Sequence, residues 1–130
     1  MKIAIIGADG QLGSDLLKVL EGNQLLPLYY PDFDVTKPKK ARTLLSQIKP
    51  EILINTSAYH RVDECEDNPE KSFLVNSIAV RDLALICREL DFVLVHFSTD
   101  YVFDGAKKEP YIEEDPPPSS KCLCCFQISW

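Results

Sequence analysis

An α/β fold built on a parallel sheet is what this sequence predicts, and three features carry that prediction. Short apolar runs alternate with stretches of helical spacing, from Lys2-Ile3-Ala4-Ile5-Ile6 to the run at 92–97. The runs are continuously apolar, as in strands buried on both faces. The first run passes directly into Gly7-Ala8-Asp9-Gly10-Gln11-Leu12-Gly13 and then into helical spacing, the strand, glycine turn and helix that a dinucleotide needs. With right-handed crossovers, these features define a Rossmann-like doubly wound parallel sheet. The alternation fails from Asp104 onward, so the sheet is predicted to be incomplete at its C-terminal side.

The elements follow in order. Lys2 to Ile6 is the first strand. In the turn, Gly7 permits the tight bend, Gly10 lets the backbone approach a pyrophosphate, and Gly13 lets helix and strand pack closely. The spacing is Gly-x-x-Gly-x-x-Gly, usual in short-chain dehydrogenases. Gln11 to Leu20 is a helix with Leu12, Leu16, Leu17 and Leu20 on one face, ended by Gly22-Asn23. Leu25 to Tyr30 is the second strand. Thr36 can cap a helix over 38–48, with Pro38 in its first turn and Lys37, Lys39, Lys40 and Arg42 as a solvated face. Glu51 to Asn55 is the third strand, and Thr56 to Asn68 a polar loop. Pro69 opens one long helix through about Leu90, with Phe73, Leu74, Ile78, Leu83, Ile86 and Cys87 on its apolar face. Phe92 to Phe97 is the fourth strand. Asp104 to Ser120 is loop-like and rich in proline.

Bulk properties exclude several functions. The chain has 130 residues, enough for one domain. A net charge of −6 and a pI near 4.8 argue against a nucleic-acid surface. No apolar run reaches membrane-spanning length. Met1 leads straight into a strand, so no signal peptide is expected and a cytoplasmic location follows. The five cysteines are odd in number and suit no disulfide framework. Cys122 and Cys125 have Cys-x-x-Cys spacing but lack the second ligand pair that zinc requires. His60 and His96 have no paired ligands nearby, so no metal is expected.

In an open parallel sheet, ligands bind beyond the carboxyl ends of the strands. Four strand ends therefore matter. The first is the glycine turn. The second is Asp32 or Asp34, about twenty residues past the glycines, where an acid can meet the adenosine half or merely cap a turn. The third is Asn55-Thr56-Ser57-Ala58-Tyr59-His60. The fourth is Ser98-Thr99-Asp100-Tyr101, where a hydroxyl can hydrogen-bond a carbonyl under reduction, though such a pair is often only a cap.

Several motifs then occur in order: Gly7 to Gly13, Asp34-Val35-Thr36-Lys37-Pro38, Ile54-Asn55-Thr56-Ser57-Ala58-Tyr59, Val62-Asp63-Glu64-Cys65-Glu66, Val75-Asn76, Ser98-Thr99-Asp100-Tyr101-Val102-Phe103-Asp104-Gly105, and Pro110-Tyr111 with Asp115-Pro116. Over Met1 to about Pro117 the chain closely resembles the dTDP-4-dehydrorhamnose reductases, extended short-chain dehydrogenase/reductases. The resemblance implies NADPH- or NADH-dependent reduction of the 4-keto group of dTDP-6-deoxy-L-lyxo-4-hexulose to dTDP-L-rhamnose. It also implies roles by position. Gly10, Gln11 and Leu12 would touch the pyrophosphate, and Asp34 and Val35 the adenine side. Ala58, Tyr59 and His60 would line the cofactor, His60 replacing a residue that is often threonine. Thr99 would be the catalytic hydroxyl, with Asp100 and Val102 near the dTDP-sugar. Tyr29 stands where some members have an aspartate near the ribose, which leaves NADH against NADPH open. A homodimer of the full-length form is also left open. An alternative from another class is a non-catalytic regulatory protein on the same fold, such as the regulatory subunit of methionine adenosyltransferase.

The resemblance ends abruptly. Such reductases use Tyr-x-x-x-Lys, in which tyrosine protonates the ketone oxygen and lysine lowers its pKa. No tyrosine here has a lysine four residues on. Residues 1–117 read as an NAD(P)-binding domain and 118–130 as a non-native-looking, disordered tail. Read in the second frame with allowed codons, Ser119 to Trp130 becomes Pro-Leu-Asn-Val-Tyr-Ala-Val-Ser-Lys-Leu-Ala-Gly. An extra base within the codons of Pro116 to Pro118 would account for it, as sequencing the gene across them decides. A truncated reductase is then expected to be inactive and prone to aggregate at its open sheet edge.

Overall fold

The computed structural model describes residues 1–59, 67–99, 103 and 105–116. Strand β1 (Lys2–Ile6) feeds the glycine turn and helix α1 (Gln11–Val19). Strand β2 (Gln24–Leu28) and helix α2 (Pro38–Ile48) follow, then β3 (Ile52–Asn55). Helix α3 (Pro69–Phe73), a π turn (Leu74–Ile78) and helix α4 (Ala79–Leu90) lead to β4 (Val93–His96).

All four strands are parallel, in the order β2-β1-β3-β4. The chain moves one way from β1 to β2 and the other way to β3. The order therefore reverses between β1 and β3, and the crevice beyond their carboxyl ends is where such sheets take ligands.

Strand alternation divides the core into two layers. Ala4, Ile6 and Leu53 face α2 and α4, where Ala41, Leu45, Ala79, Leu83, Ile86 and Cys87 close over them. Ile3, Ile5 and Ile54 face α1, whose Leu16, Leu17 and Leu20 pack on them. Burial pushes the Cys87 thiol up to about 12, so it is a core side chain rather than a nucleophile. Among the described residues, no helix is long and apolar enough to cross a membrane.

Several expectations need correction. Leu12 is on the apolar spacing of α1 yet is 43% exposed, because it lies in the first turn beyond the edge of the strands. Thr36 does not cap α2: the N-cap is Lys37, with no side-chain cap and with Pro38 next. The Thr36 hydroxyl is instead committed to Asp34 Oδ1 at 2.7 Å. The long helix is not regular, since the π turn advances its register and turns Leu74 outward, 41% exposed. Finally, β4 is not covered on both faces. Val93 and Val95 are 59% and 37% exposed, on the α1 side of the sheet. Strands β2 and β4 are also shorter than expected, ending at Leu28 and His96.

Candidate functional site

The site grows from the end of β1. Gly7 has φ +72°, a left-handed conformation that side chains resist, and its N–H bonds the Leu28 carbonyl at 3.0 Å. The N–H of Gly10 then donates to the Gly7 carbonyl at 2.9 Å, closing the turn. A Cβ on Gly13 would lie 2.3 Å from the Gly7 oxygen and 2.8 Å from Ala8 Cα, so only glycine lets α1 start this close to the strand. Gly10 is the N-cap of α1 and offers no side-chain cap. The first N–H groups of a nine-residue helix therefore open at the crevice, where the helix dipole favours an anion.

The end of β3 is tied to this turn. The Thr56 hydroxyl shares its proton between the carbonyls of Ile6 at 2.7 Å and Gly7 at 3.1 Å. Next to it, buried Asn55 accepts from Ser57 N–H at 3.1 Å and from its hydroxyl at 2.6 Å. Those bonds fix the amide orientation and leave Asn55 Nδ2 facing His96 Nδ1 at 3.3 Å. The imidazole must accept there, which a neutral ring protonated on Nε2 does. Burial drives the His96 pKa below its ordinary value, with a contact to the Asn55 backbone opposing in part.

The loop after β2 forms the opposite wall. Asp34 Oδ1 accepts from the Thr36 N–H at 2.9 Å as well as from its hydroxyl, an Asx turn. Partial burial works against the Asp34 charge. The two Thr36 bonds, with Lys37 and Lys40 nearby, outweigh it and hold the carboxyl below the usual aspartate range.

Between these walls lies a cleft of about 470 Å³ lined by Ile6, Gly7, Tyr30, Phe33, Asp34, Val35, Thr36, Ser57, Ala58, Tyr59, Lys71, Leu74 and Val75, within the range of small-molecule sites. Gly7, Asp34, Val35, Ala58 and Tyr59, expected from separate strand ends, thus meet on one cavity. Gly10, Gln11, Leu12 and Gly13 adjoin it through the turn. Thr99 lies beyond the end of β4, partly buried. His60, Asp100 and Val102 lie outside the described residues, as does the stretch 118–130.

The sequence reading missed Lys71, Leu74 and Val75 as lining residues. Their position depends on the π turn, which no periodicity announces. Asn76 stands in the Val75-Asn76 motif, but nothing in the sequence assigned it a partner; its side chain bonds the Tyr59 backbone twice. Beyond β4, the loop-like stretch 105–116 is internally tied. Tyr111 stacks on Phe103 with centroids 4.1 Å apart, and Lys107 pairs with Asp115 at 2.5 Å. The Lys107 hydrogen bond, then the Ile112 N–H, hold the Asp115 carboxyl below its ordinary range. Among the described residues, no group of three or more histidine, cysteine or acidic side chains gathers as a metal site.

A cleft over a glycine turn, at the point where strand order reverses, defines a Rossmann nucleotide-binding fold. More narrowly, the chain belongs to the RmlD substrate binding domain family, which matches residues 1–121. A dTDP-4-dehydrorhamnose reductase of Burkholderia thailandensis is 39% identical over 117 residues, covering 89% of this chain and 39% of the relative. A probable low-salt glycan biosynthesis reductase of Haloferax volcanii is 37% identical over 125 residues, covering 87% of this chain and 42% of the relative. The crystal structure of a dTDP-4-dehydrorhamnose reductase from Clostridium acetobutylicum superposes with a TM-score of 0.94 at 34% identity, over 98% of this chain and 46% of that one. A Bacillus anthracis dTDP-4-dehydrorhamnose reductase in complex with NADP gives 0.92 at 30% identity, over 98% and 47%. The chain thus spans about two fifths of the length of the curated relatives it matches.

Proposed function

We propose that this chain is the dinucleotide-binding part, residues 1–117, of a dTDP-4-dehydrorhamnose reductase, followed by a stretch, 118–130, that lacks the family's Tyr-x-x-x-Lys pair. The observation that supports it most is the meeting of Gly7, Asp34, Val35, Ala58 and Tyr59 on one cleft. The residues fit a nicotinamide dinucleotide, NADPH or NADH: the α1 N-terminus carries no side-chain cap, and the adjoining cleft is mostly apolar with few charges. The Bacillus anthracis relative was solved with NADP.

In this reading Gly10, Gln11 and Leu12 meet the diphosphate, with the N–H groups of Gln11 and Leu12 donating to it while that of Gly10 stays in the turn. Asp34 and Val35 meet the adenosine half, and Ala58, Tyr59 and His60 line the remainder. When bound, the cofactor supplies the hydride for the ketone carbon. Thr99 donates a hydrogen bond to the ketone oxygen of the dTDP-sugar, and Asp100 and Val102 lie along the sugar. Protonation of that oxygen needs an acid of matched pKa. The Tyr-x-x-x-Lys pair that provides it in the family is not in this sequence.

The chain is therefore expected to bind the dinucleotide without turning over a ketone. Titrating the purified chain with NADPH and with NADH, by the fluorescence of the reduced nicotinamide, tests the first half. Incubating it with dTDP-6-deoxy-L-lyxo-4-hexulose and following oxidation of the cofactor tests the second. Absence of saturable binding contradicts the proposal, and sustained turnover contradicts the assignment of inactivity.

A further inference from the structure

The two edges of the sheet are guarded differently. In a parallel ladder, alternate residues turn their backbone groups to the neighbouring strand and the residues between turn theirs away. On β2, the Gln24 N–H donates to the Met1 carbonyl at 3.0 Å and the Leu28 carbonyl accepts from Gly7. Gln24, Leu26 and Leu28 therefore face β1, while Leu25 and Pro27 face outward. Proline has no N–H to offer, so that edge is a poor template for another strand. On β4, the Val93 N–H donates to the Glu51 carbonyl at 3.0 Å. Val93 and Val95 therefore face β3, and Leu94 and His96 turn their N–H and C=O groups outward. Among the described residues β4 has no second neighbour. Phe92 to Phe97 contains no proline, lysine or acid, the residues that commonly blunt an edge.

The side chains beside this edge are apolar as well. The register sets Val93 next to Ile52 and Val95 next to Ile54, so both stand on the α1 side, bare where α1 does not reach. Phe97, two residues on, is 43% exposed. A strand with outward backbone groups and an apolar row suits a second copy of itself. A two-fold axis perpendicular to the sheet sets two β4 strands antiparallel and keeps both α1 sides on one surface. Residues directly opposite then share a face, which allows only registers centred on a residue. Centring on Val95 sets Leu94 opposite the partner's His96 as hydrogen-bonded pairs, using every outward backbone group of the strand. Val95 then meets itself on the axis and Val93 meets the partner's Phe97. Both are non-hydrogen-bonded positions, where side chains approach most closely. Centring on Leu94 instead sets Phe92 against His96, and the Phe92 N–H is already committed to the Cys87 carbonyl at 3.1 Å.

We propose that β4 is a self-association edge: two copies of this chain pair antiparallel through Leu94 and His96, with Val95 on the two-fold axis, into one continuous sheet. The β2 edge carries Pro27 and cannot repeat the contact, so the assembly closes at two copies. Strand β4 has only four residues. That is a small surface against the roughly 800 Å² per partner of a stable complex, so the dimer is weak and dissociates on dilution. The proposal does not depend on what the cleft binds.

Sedimentation velocity of the full chain, from dilute to concentrated solution, is the first test. A shift from monomer to dimer is expected, with nothing larger. Val95→Lys and Val95→Glu are each expected to abolish the dimer, because like charges then meet across the axis. An equimolar mixture of the two variants is expected to regain it, since a strand that meets itself at Val95 brings unlike charges together only in the mixed pair. The urea midpoint of each variant reports that it folds. Hydrogen exchange on the wild-type chain needs no variant and remains if they fail to fold. The Leu94 and His96 amides are expected to exchange fast in dilute solution and slowly at dimer concentrations, while those of Val93 and Val95 stay protected in both. A monomer at every concentration, or growth beyond the dimer, overturns the closed pairing. A Val95→Lys chain that still dimerises, a mixture that stays monomeric, or Leu94 and His96 exchange that ignores concentration overturns the placement on β4.

Discussion

The two faces of the sheet are built differently. On the α2 and α4 side, Ala4, Leu45 and Leu53 are wholly buried, and partly buried side chains such as Leu26, Leu94 and Phe92 extend the layer across all four strands. On the α1 side, Ile3, Ile5, Ala8 and Ile54 are covered by one nine-residue helix. That layer stops before β4, where Val93 and Val95 meet water. Stability is concentrated on the first face. The glycine turn, by contrast, springs from the thinner one, because α1 starts against Gly7. The lesson is that the site borrows rigidity across the sheet: Thr56 ties β3 to the Gly7 turn, and Asn76 reaches over from the α4 side.

The largest test of this contrast is Leu53→Ala, at the centre of the thick layer. It is expected to cost about 2–5 kcal/mol of folding stability, as buried leucines do, read by urea denaturation. Gly13→Ala attacks the thin layer. The added methyl meets backbone rather than a movable side chain, so about 1–3 kcal/mol is expected, accompanied by loss of nucleotide binding. A Gly13→Ala chain that binds NADPH normally would show that close helix packing is not what shapes the turn.

Acid should sharpen the comparison, with a smaller effect. His96, reached from β3 by Asn55, has its pKa lowered by burial. The unfolded chain then takes the proton more readily than the folded one. Stability is complete above the ordinary histidine value, about 6.5, and is lost as pH falls through the lower folded value. Asp34 follows the same sign further down: its contribution is present above about pH 4 and is lost as its depressed folded pKa is passed. Urea midpoints measured against pH are expected to fall in two stages. His96→Gln should remove the upper stage and Asp34→Asn the lower. A midpoint independent of pH down to the carboxylate range would contradict the His96 assignment.

The smallest expected effect on folding lies at the bare strip. Val95→Thr should change stability by less than about 0.5 kcal/mol, yet reduce self-association in sedimentation, since an uncovered apolar edge strand recruits partners. Unchanged sedimentation would mean that the strip does not drive association.

Much of this was legible beforehand because it depends on local chemistry. The positive φ of Gly7 and the helix contact at Gly13 follow from glycine spacing, and Pro38 marks the start of α2 without any partner being known. Asp34 and the Ala58–Tyr59 wall were legible because strand ends converge in a doubly wound sheet, and Val35 through the family resemblance. What escaped depends on through-space geometry. The Thr36 hydroxyl was free to cap α2 in the sequence, but Asp34 lies within reach and takes it. Leu12 and Leu74 keep apolar spacing while their turns face the site. The π turn hides in a regular-looking apolar pattern, and with it the contact of Asn76, whose partner stands seventeen residues away. The exposure of β4 is equally invisible, since an apolar strand reads alike whether covered or bare.

The most direct measurement is an amide NMR titration of the isotopically labelled 130-residue chain with NADPH. The expected result is a set of saturable shifts at Gly7 to Gly13, Asp34, Val35, Ala58 and Tyr59, with the largest in the first turn of α1. Saturable shifts that leave the Gly7–Gly13 amides unmoved, or no shifts at all, would contradict the placement of the dinucleotide over the end of β1.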